Sequence, residues 1–375
     1  MPMNPSRRRF TQGACAVGLM PWLASCGGDD VPAVELAYAS AVRETMSTYF
    51  LPGVLAAVSR PGQRQWSGAF GKANLESDTA LVLGSTFPIR SVTKSFTVTI
   101  VLQLLGEGLL TLDDTIDRYV PGMPNGHLIT LDDLAGMQSG LVDYSATTAF
   151  RDLFIPDLQR VWTEQELVDF SRAQPVVFQP GAQFQYSNTN TVLLGMVIEA
   201  VTGQTLAEQM ASRIFIPLGL GGTTYPSVPD LPAPAPTPYG VDIVSGAAAD
   251  YPLISPTSLA GAGALSSTLA DLLNWGDELG SGSLVGPALN ALRRTRSRPV
   301  TNGPEYANYG LGIGQIDSWW GHTGSGVGFQ LACMNDSVSG TTIAVMVNAT
   351  PEGGRRDLNL AQEVFEALAA VVTGG

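Results

Sequence analysis

Lysine and histidine are nearly absent from this chain: two of each stand among 375 residues, against eighteen arginines. Two histidines and three scattered cysteines cannot assemble a metal centre, so no metal or other cofactor is expected. Charged residues make up only 14%, and acidic ones outnumber basic ones to a formal charge of −13. Such a surface repels nucleic-acid phosphates, which excludes a nucleic-acid partner. Also missing are a Gly-x-Ser-x-Gly elbow, a Walker loop and a dinucleotide fingerprint. Apolar residues are plentiful, at 45%, enough for a packed core in one large domain or two interleaved ones. The 42 glycines and 25 prolines predict many turns.

Residues 1–25 read as an export signal and not as part of the fold. Ser6, Arg7, Arg8, Arg9 and Phe10 resemble a twin-arginine export motif, followed by the apolar run GACAVGLMPWLAS. About a dozen apolar positions are too few to span a bilayer as a stable helix. Leu23-Ala24-Ser25-Cys26 resembles a bacterial lipobox, whose cysteine is acylated and becomes the mature N-terminus. The expectation is an exported protein on the periplasmic side of a bacterial membrane, held there by lipid on Cys26, with residues 26–33 as a tether. Removing the signal takes away Arg7, Arg8 and Arg9 and leaves 17 basic against 33 acidic side chains. Cys15 then lies in the signal and Cys26 carries lipid, so Cys333 has no partner and no internal disulfide is expected. Cys333 reads as a small buried apolar side chain.

Along the remaining domain, residues 34–375, helical spacing covers 34–50 and stops at Pro52-Gly53. VLAAVSR and RQWSGAFG read as a hairpin. Ser91 to Leu105 is apolar nearly all round, the mark of a buried helix. Helical patterns follow in ITLDDLAGMQSGL, TEQELVDFSRAQ and NTVLLGMVIEAVTG, the last stopped by Gly203. The Pro/Ala stretch 226–238 predicts an exposed connection. Leu265 to Leu279 is predicted helical, with Ser266, Ser267 and Thr268 as candidate caps. YGLGIGQI, VGFQLACMN and TTIAVMVNAT read as strands, and LNLAQEVFEALAAVV as a closing helix. The result is an α+β chain: an antiparallel sheet built from both ends, flanked by N- and C-terminal helices, with a mainly helical region at about 92–260 inserted into it.

The scarcity of lysine makes Lys94 conspicuous, because it follows Ser91 by three residues at the start of the apolar helix. Arginine stays charged at any working pH, whereas a desolvated lysine amine loses its proton and becomes a base. One helical turn puts both side chains on one face, so Ser91 and Lys94 pair as a nucleophile and its activator. The helix start adds backbone N–H groups suited to an oxyanion.

Two further segments follow in order: Tyr186-Ser187-Asn188, and His322-Thr323-Gly324 in GHTGSGVGF. With RSVTK these resemble the serine β-lactamase and penicillin-binding superfamily, in its class C β-lactamase and serine D-Ala-D-Ala carboxypeptidase branch, from about Val54 to the C-terminus. The resemblance implies the β-lactamase-like fold and an acyl-enzyme on Ser91. By the same resemblance, Lys94 and Tyr186 share the proton work, and Asn188 holds the substrate amide and fixes Lys94. His322, Thr323 and Gly324 form the opposite wall, and the N–H groups of Ser91 and Ser325 make the oxyanion hole. Taken singly, Tyr186 reads first as a core aromatic and His322 as a turn residue; their joint order and spacing reverse that reading. Tyr306-Ala307-Asn308 repeats the Tyr-x-Asn pattern, but its place before a strand predicts a structural role. His127 reads as a loop residue, and Trp319 and Trp320 either edge the cleft or pack.

The chain departs from the pattern of most penicillin-recognising relatives in having His322 where they carry lysine. Histidine offers a cation only below about pH 6.5, so a carboxylate-binding role predicts turnover that falls as pH rises through that value. Ile313, Gly314 and Gln315 occupy the strand position where carboxypeptidases of that branch can present an arginine. The expectation is a serine hydrolase, D-Ala-D-Ala carboxypeptidase-like on cell-wall peptides. A carboxylesterase, a class C-like β-lactamase and an inactive binding module that senses cell-wall fragments are the alternatives. Its small substrate is a peptide, ester or lactam, selected by loops around 140–165 and 225–260.

Overall fold

The computed structural model describes residues 32–374 except Arg356. The export motif, Cys26 and most of the tether lie outside the described residues. Helix α1 (Ala33–Tyr49) already takes up the last residue assigned to the tether.

The main sheet has nine strands: β1 (Gly53–Ser59), β2 (Trp66–Asn74), β3 (Thr79–Ala80), β4 (Arg298–Pro299), β5 (Asn308–Tyr309), β6 (Gly314–Ile316), β7 (Trp319–Gly326), β8 (Phe329–Asp336) and β9 (Thr342–Val347). Their spatial order is β3-β2-β1-β9-β8-β7-β6-β5-β4, antiparallel throughout. The N-terminal hairpin thus pairs with the last strand, Val54 opposite Val347, and the sheet is closed by both ends of the chain.

The central strands are buried on both faces, and the two-residue strand period divides their side chains between two cores. Leu55, Ala57, Leu331, Cys333, Ala344 and Met346 point one way, into a core shared with the inserted helices. Val54, Ala56, Val58, Met334, Val345 and Val347 point the other way, under α1 and the closing helix Leu360–Gly374. This double burial is why VGFQLACMN and TTIAVMVNAT are almost wholly apolar.

Between β3 and β4 lie the remaining helices. Of these, α2 (Thr93–Gly106), α3 (Leu131–Ala135), α4 (Glu164–Arg172) and α5 (Asn188–Thr202) carry or support the site. Helix α2 is buried on almost every side, and Phe96 stacks on Trp275 of α6 (Leu269–Ser281) at 3.7 Å. Gly203 ends α5 in the left-handed conformation, as its sequence predicts. The closing helix is α7 (Leu360–Gly374). The mixed α and β content and the large antiparallel sheet agree with the fold class read from sequence.

Three expectations are corrected in detail. Helix α6 begins at Leu269 and not Leu265, because Ser266-Ser267 pairs as a strand with Phe87-Pro88; only Thr268 caps it, accepting from Asp271 N. YGLGIGQI is not one strand but β5 and β6, joined by a turn in which Gly312 takes φ +70°. ITLDDLAGMQSGL forms only the short α3, which stops where Met137 turns left-handed.

Candidate active site

Ser91 sits in a 3-10 turn, Arg90–Val92, that runs directly into α2 and places Lys94 in the first turn of that helix. Strand β7 lies across this turn. It can approach because residue 324 is glycine: a Cβ there would stand 2.6 Å from Ile89 O and 3.2 Å from Arg90 Cβ.

Lys94 is fully buried, and its Nζ has three oxygen neighbours: Asn188 Oδ1 at 2.7 Å, Ala262 O at 2.8 Å and Ser91 Oγ at 2.9 Å. Desolvation lowers its pKa to about 7, against a smaller opposing pull from Asp143. A neutral amine has two N–H bonds and one lone pair. The amide oxygen of Asn188 and the carbonyl of Ala262 can only accept, so they take the two N–H bonds. The lone pair then faces the one neighbour able to donate, the Ser91 hydroxyl. This is the arrangement a serine needs to lose its proton.

Tyr186 and Asn188 arrive together at the start of α5, and Lys94 Nζ lies 4.9 Å from the centre of the Tyr186 ring. The Tyr186 hydroxyl is buried beside the Ser91 hydroxyl and makes no well-formed hydrogen bond among the described residues. Burial above all pushes its pKa well above the ordinary phenol value, Tyr306 adds to the rise, and the nearby Ser91 hydroxyl opposes it. It is therefore a neutral phenol at working pH. Asn188 Nδ2 donates to Asp143 Oδ2 at 3.1 Å and Ser145 Oγ at 3.3 Å. Its amide is thus fixed from behind, with Oδ1 turned to Lys94.

His322 does not reach the cleft, which corrects the role expected for it. The ring is fully buried, and burial lowers its pKa to about 3, with Lys94 adding to the fall. Nδ1 contacts the Thr323 carbonyl, which can only accept, so Nδ1 holds the proton. Nε2 accepts from the Tyr309 hydroxyl at 3.0 Å. The imidazole is neutral and structural, because the Thr323 carbonyl and the Tyr309 hydroxyl satisfy its two nitrogens inside the core. Tyr306, of the second Tyr-x-Asn, backs the same strand: its hydroxyl accepts from Thr323 N at 2.7 Å and bonds Thr323 Oγ1 at 2.7 Å.

That bond also fixes the direction of Ser325. Along a strand, alternate N–H groups point to the same side. Thr323 N–H points away from β8, so Ser325 N–H does too, beyond the end of the pairing with β6 at Gly321. Ser325 therefore turns its N–H toward the cleft, as an oxyanion role requires. Gln330 on β8 steadies it, donating to Ser325 Oγ at 3.0 Å and Leu358 O at 2.9 Å while accepting from Leu360 N at 2.8 Å.

Ser91, Tyr186, Asn188, Thr323 and Ser325 border one cavity of about 340 Å³. Its other walls are Gly303, Pro304 and Glu305 before β5, and Asp357, Asn359 and Gln362 at the start of α7. Sequence reasoning placed substrate selection in loops 140–165 and 225–260, and missed these walls. The cavity residues at 303–305 and 357–362 carry no motif and lie about fifty residues apart in sequence, so only the fold brings them to one cleft. Trp319 and Trp320 pack in the two cores, with Trp319 edge-on to Phe365 at 5.3 Å. Cys333 is buried and unpaired. His127 is exposed, in the loop before α3.

The Beta-lactamase family model matches residues 39–367. A D-aminopeptidase of Brucella anthropi is 34% identical over 184 residues, which is 48% of this chain and 34% of that protein. The chain spans less than half the length of the curated relatives it matches first. A D-stereospecific amidohydrolase from Streptomyces sp. superposes with a TM-score of 0.77 at 29% identity, over 91% of this chain and 99% of that one. A D-amino acid amidase from Ochrobactrum anthropi SV3 superposes at 0.81 with 23% identity, over 91% and 99% of the two chains, and shares the fold. On the family match and the fold, this chain belongs to the beta-lactamase family of serine hydrolases.

Proposed function

We propose that the protein hydrolyses small amides through an acyl-enzyme on Ser91, and that it prefers an acyl group bearing a free amine to a substrate ending in a carboxylate. The observation that carries this is the charge of the cleft. Glu305 and Asp357 are exposed carboxylates on its wall; among the described residues neither has an ion-pair partner and none that borders the cavity is a cation. Arg355, two residues before Asp357, is exposed but does not border the cavity. A substrate ammonium is attracted there and a terminal carboxylate repelled. His322, the one residue expected to bind a carboxylate, is buried and neutral. The names of the relatives, D-aminopeptidase and D-stereospecific amidohydrolase, support a D-configured amine-bearing substrate over a D-Ala-D-Ala peptide.

In this reading Ser91 Oγ passes its proton to Lys94 and bonds the carbonyl carbon, whose π electrons move onto oxygen between the N–H groups of Ser91 and Ser325. When the C–O double bond reforms, the C–N bond breaks. The leaving nitrogen takes the proton back from the Lys94 ammonium by way of the neutral Tyr186 phenol. Water repeats the sequence on the ester and frees the acid. Export and lipid anchoring at Cys26 remain part of the proposal, resting on the signal motifs alone.

The test compares a D-alanine amide, its N-acetyl form and a D-Ala-D-Ala peptide, with Ser91→Ala as control. The free-amine amide is expected to have kcat/KM at least about tenfold above the others, and Glu305→Gln with Asp357→Asn to shrink that ratio. Equal turnover of the acetylated or carboxylate-ended substrate would reject the amine preference. Activity in Ser91→Ala would reject the nucleophile.

A further inference from the structure

Arg90 is the buried charge that the site described above leaves without a task. It is 3% exposed and immediately precedes Ser91, yet no carboxylate pairs with it among the described residues. Its Nη2 donates to Val327 O at 3.0 Å, and its Nε is buried with no partner. The guanidinium lies 5.7 Å from the centre of the Phe329 ring. Burial lowers its pKa to about 10, which leaves it charged at neutral pH. Its backbone holds φ +50°, a left-handed conformation that disfavours a residue with a Cβ.

The hydrogen bond to Val327 and the Phe329 ring stabilise the guanidinium in part, but the missing counter-ion, the unpartnered Nε and the left-handed backbone are each unfavourable to folding. A buried cation without a counter-ion is destabilising, and an apolar side chain of similar volume removes that penalty. Strain kept at such a place points to a use for it. The location supplies the use. On one side Arg90 is bonded to Ser91. On the other it lies against Gly326, where a Cβ would come 3.0 Å from Arg90 Nε, one residue beyond Ser325. The cation is therefore held next to Ser91 and, at Gly326, next to Ser325, the two residues whose N–H groups are assigned to the oxyanion hole. Negative charge grows at the carbonyl oxygen when Ser91 attacks, and a cation fixed inside the protein, itself out of water, attracts it.

We propose that Arg90 is a positioning residue that holds a permanent positive charge beside the oxyanion hole and lowers the barrier to the tetrahedral intermediate. The proposal rests on Ser91 being the nucleophile. It touches no substrate, and it acts through the Ser91 turn and the β7–β8 turn that it ties together at Val327.

The experiment measures kcat, KM and Tm for the whole chain and for Arg90→Met, Arg90→Lys and Ser91→Ala, on the amide turned over best. Arg90→Met is expected to lower kcat at least about tenfold, with KM held within about threefold, since the charge acts on the transition state. Its Tm should stay level or rise, because a buried unpaired charge is gone. Arg90→Lys should recover most of the lost kcat. Unchanged kcat in Arg90→Met, with Ser91→Ala inert, would overturn this inference alone. A parallel fall of kcat and Tm in both Arg90 variants would assign Arg90 to packing and also overturn it. Turnover surviving in Ser91→Ala would instead overturn the Ser91 reading.

Discussion

At the scale of single residues, the chemistry turns on whether the Lys94 amine is neutral. Its pKa of about 7 follows from burial, and its charged form has no lone pair to offer Ser91. The fraction of competent enzyme therefore rises with pH through about 7. The expected kcat/KM profile has an acid limb of unit slope with its bend near that value. The profile expected of a protonated His322 runs the other way. A stopped assay from pH 5 to 9 with an uncharged ester separates them. Lys94→Arg should lose activity by about a thousandfold, because a guanidinium in the same place stays protonated. Ser91, Lys94, Tyr186 and Asn188 were all readable as candidates from motif order, since each motif rides on a local signal of serine spacing or a helix start. The role of His322 was not, because a histidine's charge depends on neighbours distant in sequence.

At the scale of elements, the cleft exists because β7 and the start of α7 are held against the nucleophile turn. Gln330 is the fastener: it is 1% exposed and uses its whole amide on Ser325, Leu358 and Leu360. Asn359 assists, donating to Gly324 O at 3.3 Å and capping α7 through Ala361 N. Gln330→Leu leaves the Leu358 carbonyl and the Leu360 N–H buried without that partner, which is expected to cost about 2–4 kcal/mol in urea unfolding. It should also lower kcat, since Ser325 loses its brace. An unchanged unfolding midpoint would contradict the fastening role. The strands and helices themselves were largely legible: α1, α5 and α7 follow helical spacing, while β1, β8, β9 and α2 are continuous apolar runs because they are buried on nearly every side. The errors fell at Ser266-Ser267, within YGLGIGQI and after Ala135 in ITLDDLAGMQSGL, where a short strand pairing, a glycine turn and the left-handed Met137 interrupted the pattern.

At the scale of the whole molecule, acid stability is set by groups kept neutral inside. His322 has a folded pKa of about 3 against an ordinary 6.5. Unfolding lets it bind a proton, so its contribution is complete above about 6.5, declines below it and is lost below about 3. Glu164 acts in the opposite sense between its ordinary 4.5 and about 7, where burial and then Glu199 raise it. Comparing wild type with His322→Gln isolates the first effect. The Tm of the wild type is expected to fall more steeply than that of the variant between pH 6.5 and 3, and parallel curves would contradict a buried neutral imidazole.

The amino-acid sequence by itself determined the double-faced apolar strands, the buried helix after Ser91 and the ordered motifs, because each is written in neighbouring residues. Only the tertiary structure decided that Lys94 is dry, that His322 faces away from substrate, and that Glu305 and Asp357 border the cleft. Desolvation and charge are sums over everything nearby in space. In this fold the two ends of the chain meet in one sheet, so those neighbours come from segments up to some 270 residues apart, as with Ser91 and Gln362.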